Sequence, residues 1–462
     1  MKTALYFPRS FFRLYLISII CLSSLSIAAQ SISTGSNHAM FICTDRSIVG
    51  AGNNFYGPLG NASYIPNDGI QELVSGEWKM VACGGAHTLF LKSDSTLWVT
   101  GHGGWLGLGD YDQRDTPTQV GTDNDWVYIE GGYYTGFAIK SDGAIYSFGY
   151  NLNGQLGLGS IAESLSPAEL NIDVNCVKVA AFAEHAIALS VDSMIWGWGE
   201  NLNGELGDGN SDLKFSPEIV SPKTNWIDIA VGGSHSLAID DNGWLYGTGL
   251  NNLGQLGLGE SYSVNEWTVI DSINSYIDMA GGAQHTLLIR DDHTLWAAGR
   301  NDVGQLGIGN LVHNNTFVQV GDQNDWMEVE AFDHHSIAKT SDGTIYIWGD
   351  NSEWNMPGCN THGTGICVIP TMVSSPCNVV SAAVTIENGT EIIFYPVPSY
   401  NELHFKGVPS FDRISIFDIS GRIVHRLQQV DGMIDISGIK SGHYFIEAHS
   451  KHSVYRQSFI KL

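Results

Sequence analysis

Short apolar runs separated by turn-forming residues recur along most of the chain. In one stretch, His285-Thr286-Leu287-Leu288-Ile289 and Thr294-Leu295-Trp296-Ala297-Ala298 flank a polar turn at Asp291-Asp292. Equivalent turns stand at Ser141-Asp142-Gly143, Asp241-Asn242-Gly243 and Ser341-Asp342-Gly343. Asp-Gly and Asn-Gly between apolar runs predict two-residue hairpins with positive φ at both central positions. A strand led by an aromatic precedes the hairpin, as in Trp226-Ile227-Asp228-Ile229-Ala230, and a further strand follows Pro117, Pro167 or Pro217. The pattern predicts four short strands per unit.

The unit repeats. His38, His87, Thr135, His185, His235, His285 and His335 are separated by 49, 48, 50, 50, 50 and 50 residues, which gives seven copies. Eleven residues after each comes Val49, Trp98, Tyr146, Trp196, Tyr246, Trp296 or Tyr346, and three further on stands a glycine from Gly52 to Gly349. A Gly-rich segment follows, fullest as Asn151-Leu152-Asn153-Gly154-Gln155-Leu156-Gly157-Leu158-Gly159. Four strands in about fifty residues make one propeller blade. The expected fold is all-β, a seven-bladed β-propeller followed by a small antiparallel β-sandwich.

Gly232-Gly233-Ser234-His235-Ser236-Leu237-Ala238-Ile239, Leu245-Tyr246, Gly249 and Asn251-Asn252-Leu253-Gly254-Gln255-Leu256-Gly257 resemble the regulator of chromosome condensation repeat. The resemblance is close in copies three to six, weaker at Gly57-Pro58-Leu59-Gly60 and Gly104-Trp105-Leu106-Gly107, and lost at Trp354-Asn355-Met356-Pro357. It covers residues 31–382 and implies a seven-bladed propeller. The phase of the aromatic-led strand adds Cys377-Asn378-Val379-Val380-Ser381-Ala382, 42 residues after His335, as the segment expected to complete the first blade, competing with or flanking Ser31-Ile32-Ser33.

From Phe394-Tyr395-Pro396-Val397-Pro398 the repeat gives way to another alternation. Leu403-His404-Phe405, Ile414-Ser415-Ile416-Phe417-Asp418, Ile434-Asp435-Ile436, His443-Tyr444-Phe445-Ile446 and Ser458-Phe459-Ile460-Lys461 predict strands between Gly421, Gly432, Gly438 and Gly442. This order, with Asp418-Ile419-Ser420-Gly421-Arg422 and Ser441-Gly442-His443, resembles the type A C-terminal sorting domain of type IX secretion. The resemblance implies engagement with that secretion machinery and export across the outer membrane of a Gram-negative bacterium. The expected division is a signal peptide at 1–29, the propeller at 31–382, a linker at 383–391 and the sorting domain at 392–462.

Charge sharpens the division. Residues 30–390 hold 11 bases and 41 acids, whereas residues 391–462 hold eight bases and seven acids. A net charge of -26 repels phosphate backbones, so nucleic acid is not an expected partner. At the N-terminus Lys2, Arg9 and Arg13 precede the apolar run Leu14–Leu22, and Ala28-Ala29 supply a cleavage site, as in a secretory signal peptide. The run is shorter than the ~20 apolar residues of a spanning helix, so no transmembrane segment is expected in the mature chain. Localisation is therefore expected to be secreted or at the outer-membrane surface, by way of the periplasm.

Six cysteines remain after the signal. Cys359 and Cys367 bracket a short Gly- and Thr-rich loop and are the expected disulfide, while Cys43, Cys83, Cys176 and Cys377 are expected as buried small apolar residues. The paired C-x-x-C ligands of a zinc site are lacking. Nor does the ring of histidines suit a metal. Blades pack at about 10 Å, and zinc holds imidazole nitrogens at about 2.1 Å, so equivalent residues on neighbouring blades cannot share an ion. The expected histidine role is structural, each ring tying loops within its own blade. No cofactor is expected, since the Gly-x-Gly spacings open no helix, and neither Gly-x-Ser-x-Gly nor His-Glu-x-x-His occurs.

Departures from the repeat mark candidate binding residues: Trp105, Tyr133 and Tyr134 ahead of Thr135, and Trp354, all standing where other copies carry smaller or polar residues. Packing peculiar to those blades explains them equally well. The leading functional expectation is an exported binding module for an extracellular protein or glycan. Two alternatives stand beside it. The repeat family implies guanine-nucleotide exchange on a small GTPase, which an exported protein does not meet. An exported hydrolase or lyase would instead work in the central channel, and its structural sign would be a cluster of carboxylates with shifted pKa values.

Overall fold

The structure is a computed structural model that describes residues 32–43, 45–74, 76–221, 223–351 and 365–373. Towards the C-terminus it describes 393–395, 402–406, 411–418, 423–430, 433–436, 438–440, 442–450 and 453–461. The chain divides into two compact units, Met1–Ser375 and Pro376–Leu462.

The first unit is a seven-bladed propeller. Its four-stranded antiparallel sheets occupy residues 32–74, 78–119, 126–169, 176–219, 226–271, 276–319 and 326–373, called here blades one to seven. In every blade the strands pair in chain order, the first innermost. The inner strands are Ile32–Thr34, Trp78–Cys83, Trp126–Gly131, Cys176–Ala181, Trp226–Val231, Tyr276–Gly281 and Trp326–Phe332. Consecutive inner strands touch, and the last touches the first, closing the ring.

Each blade is therefore a contiguous piece of chain. Ile32–Thr34 fills the inner position of blade one, with Ile32 opposite Phe41 and Thr34 opposite Ala39. This corrects the expectation that residues 377–382 complete that blade: the place is already taken by the strand at the other end of the repeat. Residues 377–382 themselves lie outside the described residues.

The hairpins also differ from expectation. In Lys140-Ser141-Asp142-Gly143, the Gly143 amide donates to the Lys140 carbonyl at 2.9 Å, and φ is positive at Gly143 but not at Asp142. The loop is a type I turn followed by one left-handed residue. Ser95, Ser193 and His293 take that left-handed place without glycine, at φ of 62–63°. Aspartate compensates locally, since Asp94 and Asp292 carboxylates accept the amides of Thr96 and Thr294.

Apolar residues on facing sheets fill the gaps between blades. One buried cluster runs from Met80 in blade two through Phe137 in blade three to Trp198 in blade four. On the Gly-rich side, Asn54, Asn151, Asn201, Asn251 and Asn301 each use the side-chain oxygen to accept the amide of a leucine five residues on, at 2.9–3.0 Å. That bond folds the repeated loop over its own leucine.

The histidines join blades. Nε2 of His38 lies 2.9 Å from Thr88 Oγ1, His185 is 3.0 Å from Ser236, His235 is 2.9 Å from Thr286, and His285 is 2.9 Å from Ser336. In each case the partner is the residue after the equivalent histidine of the next blade. Thr88, Thr286 and Ser336 donate their own hydroxyl protons to the carbonyls of Pro58, Gln255 and Gln305. Each hydroxyl must then accept from the ring, which places the imidazole proton on Nε2. The expected structural role stands, but the contact is between blades and not within one. Burial depresses the histidine pKa to about 3 at His38, His235 and His335 and to about 4 at His87.

The second unit contains a three-stranded sheet, Ile393–Tyr395, Glu402–Lys406 and Met433–Asp435, and a four-stranded one, Phe411–Asp418, Ile423–Val430, Gly442–Ser450 and Ser453–Lys461. Ile434 of the first sheet shares one buried core with Ile414, Ile416, Tyr444 and Ile446 of the second. A core common to two sheets makes a β-sandwich.

Cys43 and Cys367 each take part in a disulfide, and Cys83 and Cys176 are free and buried. Cys43 is thus not the simple apolar filler expected. Cys359 lies outside the described residues.

Candidate functional site

The propeller has two dissimilar faces. One carries the turns after the inner strands together with the Gly-rich loops, and the other carries the Asp-Gly hairpins. On the loop face a backbone bond recurs between the residue before each histidine position and the residue after the repeat glycine. It links Tyr150 to Tyr134, Glu200 to Glu184, Leu250 to Ser234, Arg300 to Gln284 and Asp350 to His334, at 2.7–3.1 Å. The backbone is uniform and the side chains are not, so this ring of paired positions is where blades differ without cost to the fold.

Three of the four candidate binding residues come together here. Trp105 stacks on His102 at 4.0 Å between ring centroids and meets Tyr134 at 5.0 Å. Tyr134 in turn meets Tyr133 at 4.5 Å and Tyr150 at 5.7 Å, and Tyr56 closes on His102 at 5.0 Å. Trp105, Tyr133, Tyr134 and Tyr150 are half-buried. The loop of blade two is two residues shorter than its equivalents and lacks their asparagine. It forms a 3-10 turn at Gly103–Trp105 instead, and that turn presents the indole. Trp354 lies outside the described residues.

Carboxyl groups lie next along this ring. Glu184 and Glu200 of blade four occupy the places of Tyr134 and Tyr150 in blade three. The hydrogen bond that the Glu200 carboxyl donates to Glu184, reinforced by burial and by the charges of Glu184 and Glu205, raises Glu200 to about 8.

A cavity of about 740 Å³ fills the axis of the ring. Towards the hairpin face its mouth is lined by Ile227, Ile277 and Met327, which are 55%, 42% and 45% exposed. At the loop face the stacked rings of Phe182 and Phe332, 4.4 Å apart, lie against its end. Those residues belong to blades four and seven, which stand three apart in the ring, so their contact spans the axis. Tyr133 packs against Phe332 at 5.8 Å, joining the plug to the aromatic cluster.

Charged side chains line the space between. Two residues into the inner strand stand Tyr128, Lys178, Asp228, Asp278 and Glu328, and two further on stand Glu130 and Glu330. Lys178 meets Asp228 at 2.7 Å, and Lys339 meets Glu328 at 3.3 Å. Asp278 accepts the Val329 amide of the next blade at 2.7 Å, and Glu328 accepts the Ile32 amide at 3.1 Å. The Lys178–Asp228 pair and the carboxylates of Asp278 and Glu328 thus stitch neighbouring inner strands together, while Lys339 holds Glu328 from the second strand of the same blade. Glu130 accepts the Tyr128 hydroxyl at 3.1 Å, and that hydroxyl also reaches the Val179 carbonyl. Burial lifts the carboxyls of Glu130 and Asp278 to about 7, Lys178 opposing the shift in both. Glu330 is raised well above its ordinary range by burial and by the charges of Glu130, Asp278 and Glu328.

None of these channel residues was singled out from the sequence. Their signal is the interruption of an apolar strand by charge at two fixed steps after its leading residue. The plug has a signal as well: Phe182 and Phe332 stand where the other copies carry Gly35, Gly84, Gly132, Gly232 and Gly282. Among the described residues no cluster of His, Cys, Asp or Glu could hold a metal ion.

Residues 142–189, 192–239 and 242–289 match the Regulator of chromosome condensation (RCC1) repeat, with further repeat matches at 226–255 and 276–305. Residues 393–462 match the Secretion system C-terminal sorting domain. The protein is a propeller of RCC1 repeats with a secretion sorting domain. An RCC1-repeat propeller carrying such a domain is a secreted protein that engages secretion machinery.

Yeast RCC1 (Prp20), solved bound to Kap60, shares this fold with a TM-score of 0.64 at 18% identity, over 81% of this chain and 88% of that one. The repeats are 29% identical over 132 residues to the human probable E3 ubiquitin-protein ligase HERC6, covering 27% of this chain and 13% of that protein. They are also 29% identical over 136 residues to the Arabidopsis thaliana ultraviolet-B receptor UVR8, covering 28% and 31%. The match thus spans less than a third of either relative. Among the described residues no helix is long and apolar enough to cross a membrane.

Proposed function

We propose that this protein is an exported binding module that captures an extracellular protein or glycan on the loop face of its propeller. The reading rests on one observation: Trp105, Tyr133 and Tyr134, from two blades, converge with His102 and Tyr150 into a single half-buried aromatic surface. Aromatic rings supply large contact area at little entropic cost, to sugar faces and protein side chains alike. In this reading residues 1–29 are a cleaved signal peptide, and residues 392–462 carry the chain through type IX secretion to the outer-membrane surface or the medium. Export keeps it from any cytosolic GTPase, which weighs against the nucleotide exchange of the repeat family.

The test is capture on a glycan array and from host surface extracts. Trp105→Ala and Tyr134→Ala should each weaken capture at least tenfold while the melting temperature stays within a few degrees. Undiminished capture by both variants overturns the reading.

The raised carboxyls of Glu130, Asp278 and Glu330 favour a second reading, an exported hydrolase or lyase acting in the channel. Any turnover found would have to vanish in Glu330→Gln while capture at the aromatic surface persists.

A further inference from the structure

We infer that the ligand of the aromatic surface is an uncharged oligosaccharide, laid along the row of rings from Tyr56 to Tyr150. The inference rests on the reading that this surface captures a ligand, and it names the class. The rings form a row and not a cap. From blade one through blade two to blade three run Tyr56, His102, Trp105, Tyr134 and Tyr150, with successive centroids 5.0, 4.0, 5.0 and 5.7 Å apart. Sugar rings in a linear oligosaccharide repeat at a similar spacing, and each can lay a C–H face on an aromatic ring.

The polar atoms of the row are uncommitted. Elsewhere in the propeller the hydroxyls of Tyr111, Tyr128, Tyr146, Tyr246, Tyr276 and Tyr346 are held by side chains of the protein. Among the described residues the hydroxyls of Tyr56, Tyr134 and Tyr150 and the indole N–H of Trp105 have no such partner, and none of them is sealed from solvent. Burial and the charges around it keep the Tyr134 hydroxyl protonated beyond the usual tyrosine range, so it remains a donor. Flat apolar faces edged by open donors and acceptors match a ligand whose C–H faces are edged by hydroxyls.

Charge narrows the class further. The row holds no charged side chain, since burial lowers the His102 pKa and leaves that imidazole neutral at pH 7. In a segment with 11 bases and 41 acids such a surface is an exception. A basic partner would find its complement on the acidic surface elsewhere. A sialylated or sulfated sugar would meet Glu184 and Asp333, whose charges already act on Tyr134. A neutral, hydroxyl-rich chain satisfies the spacing, the open polar atoms and the missing charge together.

The test uses the full-length secreted protein on an array of neutral, sialylated and sulfated oligosaccharides, and on host surface extract before and after mild periodate, which cleaves sugar diols. Binding should favour the neutral set and tighten about tenfold from disaccharide to pentasaccharide. It should change less than about twofold between low and high salt, because no ion pair is made. Periodate should abolish capture from the extract. Tyr134→Phe keeps the ring and removes one hydroxyl, and should weaken binding about fivefold; it also keeps the packing, so the test survives if Trp105→Ala fails to fold. Capture that resists periodate and is lost in Trp105→Ala means a protein ligand, which overturns the sugar class and leaves the surface standing. Preference for sialylated or sulfated sugars, or full binding by Tyr134→Phe, overturns the class as well. Capture undiminished in both Trp105→Ala and Tyr134→Ala, or no capture from array or extract, sinks the surface and the class together.

Discussion

Nε2 of His335 lies 2.5 Å from Oγ1 of Thr34, 301 positions earlier in the chain. The bond is the seventh-to-first counterpart of the histidine links between other neighbouring blades, and it closes the ring without exchanging a strand. Blade three has Thr135 in place of histidine, and its joint to blade four depends on the Tyr128 hydroxyl to Val179 and the Trp198 indole to the Gln155 carbonyl.

Breaking the closing link should therefore destabilise the propeller. His335→Ala leaves a buried hydroxyl without its partner and should cost about 1–3 kcal/mol in urea unfolding. Thr34→Val should cost a similar amount. The double variant should cost clearly less than the sum, because both remove one bond. Strict additivity would show that the two side chains do not interact.

Stability should depend on pH in two opposing ways. The histidines fold with pKa values of about 3 to 4 against an ordinary 6.5, so their contribution is complete above pH 6.5 and is lost as pH falls towards 3. Glu130 and Asp278 are raised to about 7, so theirs is complete below about pH 4 and is lost as pH rises towards 7. Histidines outnumber these carboxyls, and the urea midpoint should fall between pH 6.5 and pH 4. Glu330→Gln removes a raised carboxyl and should gain stability relative to the parent as pH rises from 4 to 8. A relative gain on acidification instead would place that carboxyl outside the crowded channel.

Cys83 and Cys176 should resist thiol reagents in the native protein, since burial pushes both thiols up to about 12. Alkylation should label them only after denaturation. Reduction should lower the melting temperature through the bonds at Cys43 and Cys367. We propose Cys359 as the partner of Cys367, and peptide mapping that finds Cys359 alkylated without reduction would sink that pairing.

Residues 392–462 should act as an export address alone. A chain lacking them should retain ligand capture and accumulate in the periplasm of the native host. Arrival of that shortened chain at the surface or in the medium would contradict the assignment to type IX secretion.

The sequence by itself determined the architecture. A period of fifty residues with turn chemistry at fixed offsets is a local signal, because strand, hairpin and Gly-rich loop are each specified within a few neighbouring residues. The change of charge and alternation near residue 390 separated the sorting domain for the same reason. Even the aromatic candidates were visible, as departures from a repeat that supplies its own comparison. Only the tertiary structure decided which partner each repeated residue meets. His235 looks the same whether it bonds within its blade or to Thr286 in the next, and Ile32–Thr34 is too short to announce itself as a strand. The channel was hidden for a related reason. Glu130 and Glu330 are 200 positions apart, and their shared field exists only because the ring brings opposing blades to one axis, where burial makes each charge felt by the other.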